Sequence, residues 1–150
     1  MKELYKFHKD GPFGCSISNK RLINDFISDA DFSERLIRDS DFSNCQIERC
    51  SFYSGNWESL TFEDCSFKNL GFKDSNLDEC IFKNCRFEIL SLSRSFLADC
   101  QFINCELDGI NFHVGELSGV TFDQSKLKSI SFLENLLDEV EFINSTLTTC

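Results

Sequence analysis

An apolar residue recurs at every fifth position of this chain, without exception from Ile17 to Leu147. Residues five apart are rotated by roughly 140° on an α-helix and alternate between the faces of a straight strand, so neither element can bury them all. A chain that turns a corner every five residues presents the same position to its interior each time, and the pattern therefore predicts a solenoid. The twenty-seven positions are Ile17, Leu22, Ile27, Phe32, Ile37, Phe42, Ile47, Phe52, Trp57, Phe62, Phe67, Phe72, Leu77, Phe82, Phe87, Leu92, Leu97, Phe102, Leu107, Phe112, Leu117, Phe122, Leu127, Phe132, Leu137, Phe142 and Leu147.

A second inward position lies two residues before each of these apolar residues. It holds a small or aliphatic side chain, such as Cys80 before Phe82 or Val120 before Phe122. Because successive side chains of an extended chain alternate, both positions of a pair face the interior. The residue between them faces outward. The last two residues of each unit carry the bend, and the later of these two positions is rich in turn-forming residues. These are Asn44, Asp64, Asn69, Asp74, Asn84, Asn104 and Asn144, among others.

The five-residue units resemble those of the pentapeptide-repeat proteins, whose pattern is a small residue, Asp or Asn, Leu or Phe, and two variable positions. The segments at 30–34 (ADFSE), 40–44 (SDFSN) and 75–79 (SNLDE) fit this pattern closely. The resemblance covers about nine-tenths of the chain, and the unbroken repetition makes it specific. It implies an all-β fold, a right-handed quadrilateral β-helix with four units per coil and about seven coils.

Four units per coil means that residues twenty apart stack on one another. The sequence agrees, because similar residues recur at that interval. A lag of ten also aligns the Phe residues, but it mixes the cysteine column with Gly55, Ser75, Ser95 and Gly115. The predicted ladders are Phe42, Phe62, Phe82, Phe102, Phe122 and Phe142; Cys45, Cys65, Cys85 and Cys105; and Leu70, Leu90, Ile110 and Ile130.

The pattern weakens toward the N-terminus. Lys20, Asp25 and Arg35 occupy inward positions, where a charge facing an apolar core is costly, so we expect the first one or two coils to be irregular. Residues 1–14 are expected to be a leader or cap over the N-terminal end, and residues 15–150 to be the β-helix, with the regular frame most secure from residue 40 onward.

The C-terminal coil is expected to leave an open apolar face with unpaired backbone groups. Phe142 and Leu147 belong to this coil. An exposed sheet edge over an apolar core favours pairing with a second copy, so a homodimer joined at this coil is expected. The alternative is that the chain is a piece of a longer protein.

Composition favours one domain in the cytoplasm. The chain has 150 residues, of which 41% are hydrophobic, with a single Pro and no low-complexity stretch that could act as a linker. No apolar run is long enough to span a bilayer, and the first residues lack the apolar core of a signal peptide.

Neither a metal site nor a catalytic site is predicted. All nine cysteines fall on the inward small-residue position, where a thiol acts as a small hydrophobe, and stacked thiols lie in a line rather than converging on an ion. The two histidines, His8 and His113, have no nucleophile or phosphate loop beside them in the sequence, and flat walls offer no cleft. We therefore expect a protein without cofactors that is not an enzyme. The cysteines are Cys15, Cys45, Cys50, Cys65, Cys80, Cys85, Cys100, Cys105 and Cys150.

The stacking register assigns the outward charges to four walls. The wall whose inward residues run from Ile37 to Leu137 carries eight acids against the single base Arg38, a net charge of −7 out of −10 for the whole chain. The wall that runs from Ile47 to Leu127 is neutral, because Lys68, Arg86, Lys126 and Lys128 offset its acids. We call the first set the acidic wall; its members are Asp39, Glu58, Asp78, Glu79, Asp99, Glu116, Asp138 and Glu139.

Two functions fit these walls. Direct binding of nucleic acid is not expected, because the acids repel phosphates. The first is a protein-interaction scaffold of unknown partner, in which apolar strips on the walls make the contacts; the candidate residues are Phe96, Ile103, Leu136 and Ile143. The second is mimicry of DNA by the acidic wall. Some pentapeptide-repeat proteins mimic duplex DNA and bind type II topoisomerases, protecting them from quinolones or toxins, and the resemblance implies this partner as the alternative.

The match to DNA is partial. A rod of seven coils is roughly 32 Å long and would face nearly twenty phosphates of a duplex, about twice the net charge of this chain. The chain also lacks the protruding loops and the C-terminal helical segment of some topoisomerase-binding members, which weighs against protection more than against binding.

Overall fold

The backbone turns a corner once every five residues throughout residues 16–150, the part of the chain that the computed structural model describes. At each corner one residue adopts a positive φ, from Asn19 at 54° to Thr149 at 56°. Left-handed backbone is open to glycine and is tolerated by Asn and Asp more readily than by other residues. The corner residue is the later bend position named from the sequence, so the predicted turn residues are confirmed.

Between the corners the chain forms nineteen short strands, all paired in parallel. In chain order they are β1 (Ser16–Ser18), β2 (Arg21–Ile23), β3 (Phe26–Ser28), β4 (Leu36–Ser43), β5 (Gln46–Glu48), β6 (Asn56–Glu63), β7 (Ser66–Gly71), β8 (Asn76–Asp78), β9 (Ile81–Lys83), β10 (Arg86–Ser91), β11 (Phe96–Ala98), β12 (Gln101–Ile103), β13 (Glu106–Asn111), β14 (Glu116–Ser118), β15 (Thr121–Asp123), β16 (Lys126–Lys128), β17 (Leu136–Asp138), β18 (Glu141–Ile143) and β19 (Thr146–Thr148).

The strands make up four walls. Wall 1 contains β1, β8, β11, β14, β17 and the first halves of β4 and β6. Wall 2 contains β2, β9, β12, β15, β18 and the second halves of β4 and β6. Because β4 and β6 run through both walls, the two walls form one twelve-stranded sheet. Wall 3 is a seven-stranded sheet that runs from β3 to β19. Wall 4 contains the paired ends of β7, β10 and β13, with Leu90 opposite Leu70 and Ile110. Elsewhere it has isolated bridges such as Asp31 with Ser51.

The register between neighbouring strands is twenty residues everywhere. Phe62 pairs with Phe42 on one side and Phe82 on the other, and the same interval links Phe102 to Phe122. This confirms four pentapeptide units per coil, and residues 16–150 form a β-solenoid of about seven turns.

The core is a set of side-chain ladders along the axis. Phe62 and Phe82 stack with ring centroids 5.1 Å apart, and Phe82 and Phe102 with 4.9 Å, while Phe67 meets Phe82 edge to face at 5.9 Å from the adjacent wall. Such pairs add to the free energy that comes from burying the rings. The apolar residues at every fifth position from Ile17 to Leu127 are buried, as predicted.

The irregular first coils expected from Lys20, Asp25 and Arg35 are not seen. Strands β1, β2 and β3 keep the twenty-residue register with the next coil, with Ile17 opposite Ile37. No buried charge results, because Lys20 is exposed and Asp25 and Arg35 are half-buried. The expected cap at residues 1–14 lies outside the described residues.

The cysteines are placed as the sequence predicts within the described residues. Seven of the eight are buried and Cys150, in the last coil, is exposed. Each thiol donates to a backbone carbonyl, as Cys105 does to Phe82 at 3.3 Å. Burial raises the pKa of the Cys50 thiol to about 11. These thiols are part of the packing of the core.

The last coil has an open apolar face. Leu137, Phe142 and Leu147 continue the inward columns but are exposed, while Phe132 and Val140 are partly buried against the core. The described part of the chain contains no helix of the length and hydropathy that a bilayer-spanning segment needs.

The Phe ladder generates a stability prediction. Replacing Phe82 with Ala removes a fully buried ring that stacks on two others and leaves a cavity, so we expect a loss of roughly 3–5 kcal/mol in the free energy of unfolding, measured by urea denaturation. The matched control is Phe96→Ala, which removes the same ring from an exposed position and is expected to change stability by only about 0.5 kcal/mol. Equal losses in the two variants would contradict this account.

The thiol burial generates a second prediction. In a Cys15→Ser background, which removes the cysteine outside the described residues, a thiol reagent at neutral pH should label Cys150 quickly. The seven buried thiols should react only after unfolding in urea, because the reagent cannot reach a thiol that is enclosed in the core. Counting the fast and slow thiols by absorbance tests this. Fast labelling of Cys50 in the folded protein would count against the packing described.

Candidate protein-interaction surface

The eight acids of the acidic wall lie on the outer side of wall 1. Six are exposed, and Glu58 and Glu116 are half-buried. Strand register places Glu58 beside Asp78, and the corner residues Glu79 and Asp99 lie on adjacent coils. Like charges one coil apart, about 4.8 Å, repel one another, so this arrangement reduces stability.

The acids of this wall are mostly without basic partners among residues 16–150. The single base of the wall, Arg38, lies 3.7 Å from Asp39. Glu79 accepts a hydrogen bond from Ser59 at 3.1 Å. The carboxylate of Asp99 lies over Gly119, where a Cβ would collide with it. The negative charge of the wall is therefore left to face solvent.

Wall 3 shows the opposite arrangement and confirms the predicted neutrality. Lys126 pairs with Glu106 and Lys128 with Asp108, each at 3.1 Å across neighbouring coils. Glu88 accepts contacts from both Lys68 and Arg86.

The same wall has a two-point ion pair near its N-terminal end. Arg49 donates two hydrogen bonds to Asp29, at 2.8 and 2.9 Å, and a third to Glu48. The guanidinium of Arg49 holds the pKa of the Asp29 carboxyl below its usual value. Every outward acid of wall 3 thus has a basic partner, whereas among the eight described acids of wall 1 only Asp39 has one.

A ladder of amides lines the corner after wall 2. Asn44 donates to Asn24 at 2.6 Å, and Asn104 donates to Asn84 at 2.8 Å, each from one coil to the next. The residues have positive φ, so they serve the corner and stack at the same time. This ladder is structural.

The apolar strips named from the sequence are broken by polar residues. Phe96 and Leu136 share one column of wall 1, with Glu116 between them. On wall 2, Ile103 is half-buried and Ile143 is exposed, and Asp123 lies between them. The structure therefore brings the four residues into two columns and not into continuous strips.

A denser apolar cluster surrounds the corner between walls 4 and 1. Its members are Phe96, Val114, Leu133 and Leu136, exposed by 52, 41, 59 and 60%, and we call them the corner patch. Val114 donates its backbone N–H to the carbonyl of Leu133 at 3.2 Å, so these two lie on adjacent coils. Val114 and Leu133 were not among the contact residues predicted from the sequence. The twenty-residue register would have placed all four residues together.

No cluster of side chains that could hold a metal ion is found in the described part of the chain. Among residues 16–150, no three side chains of His, Cys, Asp and Glu converge in a way that could hold an ion.

An ion pair lies beside the corner patch on wall 4. Arg94 donates to Asp74 at 2.6 and 2.9 Å and lowers the pKa of that carboxyl. The charges of Arg94 and Asp74 therefore neutralise each other.

Solved structures similar to this chain include three pentapeptide-repeat proteins. A trypsin-treated form of QnrB1, described as a plasmid-mediated fluoroquinolone resistance protein, is 14% identical, with 86% of this chain and 91% of that chain covered and a TM-score of 0.48. Rfr23 from the cyanobacterium Cyanothece 51142 is 12% identical, with 88% and 90% covered and a TM-score of 0.26. HetL from the cyanobacterium Nostoc sp. strain PCC 7120, described as involved in the regulation of heterocyst differentiation, is 8% identical, with 88% and 92% covered and a TM-score of 0.22.

A search of curated proteins gives no match. The family description "Pentapeptide repeat region" matches residues 56–132, just over half of the chain. These residues include the Phe ladder and the regular corners described above. The chain therefore belongs to the pentapeptide-repeat family.

Proposed function

We propose that this protein is a non-catalytic scaffold that binds another protein through wall 1 and its corner with wall 4. The observation that carries this proposal is the contrast between walls. Wall 3 pairs each of its outward acids, whereas wall 1 leaves all but Asp39 of its eight acids without a basic partner among the described residues and exposes Phe96 and Leu136. Exposed large apolar side chains reduce solubility, and patches of them mark interaction sites.

The fold supports this role because its walls are rigid and regular. Neighbouring coils are joined by backbone hydrogen bonds, such as that from Glu116 to Ser95 at 3.2 Å. Side chains on one wall therefore keep fixed spacings along the axis, and binding would cost little ordering of the scaffold.

A second candidate is mimicry of DNA toward a type II topoisomerase. The column of unpaired acids on wall 1 favours it, since a protein that binds phosphates would be attracted to this face. The acids are fewer than the phosphates of a duplex of the same length. We rank this function behind the scaffold because Phe96 and Leu136 interrupt the acidic face with apolar side chains.

We further propose that the protein forms a homodimer through its last coil, in the cytoplasm. Leu137, Phe142 and Leu147 expose an apolar face there, and burying it against a second copy would be favourable.

The two functions predict different responses to substitution. The wild-type chain would be used to capture partners from the organism that makes it. Phe96→Ser with Leu136→Ser should abolish capture of the scaffold partner, whereas Ile23→Ser, a matched change of an equally exposed aliphatic residue on wall 2, should not. Supercoiling by purified bacterial gyrase, assayed with and without a quinolone, should be unaffected by the protein at micromolar concentration.

A different result would favour DNA mimicry over the scaffold function. Salt-sensitive inhibition of gyrase, lost when Asp78, Glu79 and Asp99 are replaced by Lys, would make the acidic wall the functional site. The control reverses the same number of charges on wall 2, through Asp41, Glu63 and Asp64 to Lys. Loss of inhibition in both variants would indicate an effect of net charge alone.

The dimer is tested by light scattering after size-exclusion chromatography. Phe142→Asp should convert a dimer into a monomer, because a charge would be buried in the interface. Ile23→Asp, which places the same charge on wall 2, should leave the mass unchanged. A monomeric wild-type protein at the highest soluble concentration would contradict the proposal.

A further inference from the structure

The corner residue Val114 is unusual for its position. Of the twenty-five non-glycine residues with positive φ in the described chain, Ile89 and Val114 are the only aliphatic ones. A β-branched side chain in left-handed backbone is strained, and Asn, Asp or Ser occupies most other corners without that strain. Val114 is also 41% exposed, so burial does not compensate for the strain.

Ile89 has the same backbone strain in a different setting. It lies at the corner between walls 3 and 4, with Asn69 and Gly109 in its own column. Among the described residues, no exposed aliphatic side chain lies beside Ile89. Both residues therefore have a strained backbone, but only Val114 belongs to an apolar patch.

The corner patch spans three coils. Leu133 accepts the backbone hydrogen bond of Val114 from the next coil, and Leu136 follows three residues later on the other side of the corner. Phe96 lies two coils above Leu136 in the same column, a separation of about 10 Å.

The rim of this patch is acidic. On walls 1 and 4, from residue 93 to residue 139, there are five acids and one base. The base, Arg94, is held by Asp74, whereas the acids form no salt bridge among the described residues. The acids are Asp99, Glu116, Glu134, Asp138 and Glu139.

We propose that the corner patch binds a cationic amphipathic helix of a partner protein. The proposal rests on the scaffold function and names the chemistry of its partner. A helix that lies along the solenoid axis places apolar residues seven apart about 10 Å from one another, which matches the spacing from Phe96 to Leu136. One flank of the helix packs on Val114 and Leu133, and Lys or Arg residues on the other flank meet Asp99 and Glu139.

The polar residue inside the patch fits the same partner. Glu116 is half-buried between Phe96 and Leu136 and has no basic partner among the described residues. A helix with Lys or Arg beside its apolar stripe supplies the missing charge, whereas an acidic or purely apolar helix would bury this carboxylate without compensation. Charge complementarity therefore selects a cationic helix.

The test uses the full chain and three synthetic peptides in a fluorescence anisotropy titration at physiological salt. The peptides are an 18-residue amphipathic helix of Leu and Lys, a scrambled peptide of the same composition, and the same helix with Glu in place of Lys. We expect the Leu/Lys helix to bind, the scrambled peptide to bind at least tenfold more weakly, and the Leu/Glu helix not to bind.

The informative variant is Val114→Asn, with Ile89→Asn as its matched control. Both relieve the same backbone strain, so both should raise the urea midpoint of unfolding. Only Val114→Asn should raise the Kd for the Leu/Lys helix, by roughly tenfold or more, since it removes a central apolar contact. Val114→Ile should retain binding. A variant that is more stable and binds more weakly separates a contact role from a folding role.

Several outcomes would overturn the proposal. Equal binding of the Leu/Lys and scrambled peptides, or an unchanged Kd in Val114→Asn, would mean that the acids attract any cation. A change of molecular mass in Val114→Asn would make a second copy of this chain the occupant of the patch. Binding of the protein to anionic lipid vesicles that depends on Phe96 would make a membrane surface the occupant. If the peptides fail while Phe96→Ser still abolishes partner capture, the scaffold function stands and the cationic helix does not.

Discussion

The left-handed corner residue is the constraint on which the rest of this structure depends. It closes each pentapeptide unit, lets the next unit pair with the coil below, and keeps two side chains per unit inside. Each unit buries too little by itself, so stability comes from stacking one coil on another. The corner thus converts a five-residue sequence period into ladders such as Phe62, Phe82 and Phe102, with rings about 5 Å apart.

Because the corner residues and the inward residues determine the fold, the outward residues can differ from wall to wall. Wall 3 uses that freedom to form ion pairs between coils, as Lys126 and Glu106 do. Wall 1 keeps unpaired acids and exposed apolar side chains instead. Exposed ion pairs contribute little to stability, so wall 3 gains only modestly, and the difference between the walls is better explained by what each wall meets in solution.

Strain and exposure coincide at Val114, and this coincidence links the fold to the proposed function. Corners are the positions where the choice of residue affects stability most directly, because an L residue with a branched Cβ fits left-handed backbone poorly. Val114 lowers stability there while adding apolar area to a surface that already holds Phe96, Leu133 and Leu136. Proteins retain such costs at functional sites when the surrounding structure is strong enough to enforce them.

The sequence by itself determined the solenoid, the inward residues, the corner residues and the twenty-residue register, because each follows from a period that backbone geometry and burial impose on every unit. The predicted irregularity of the first coils was wrong, because the Lys20 side chain is exposed while β2 keeps its twenty-residue register with β4. Only the tertiary structure decided which charges pair across coils, as Arg49 does with Asp29, and how far outward side chains such as Val114 and Glu116 are exposed. These features depend on the reach of individual side chains across stacked coils and around a corner, which a linear period does not encode.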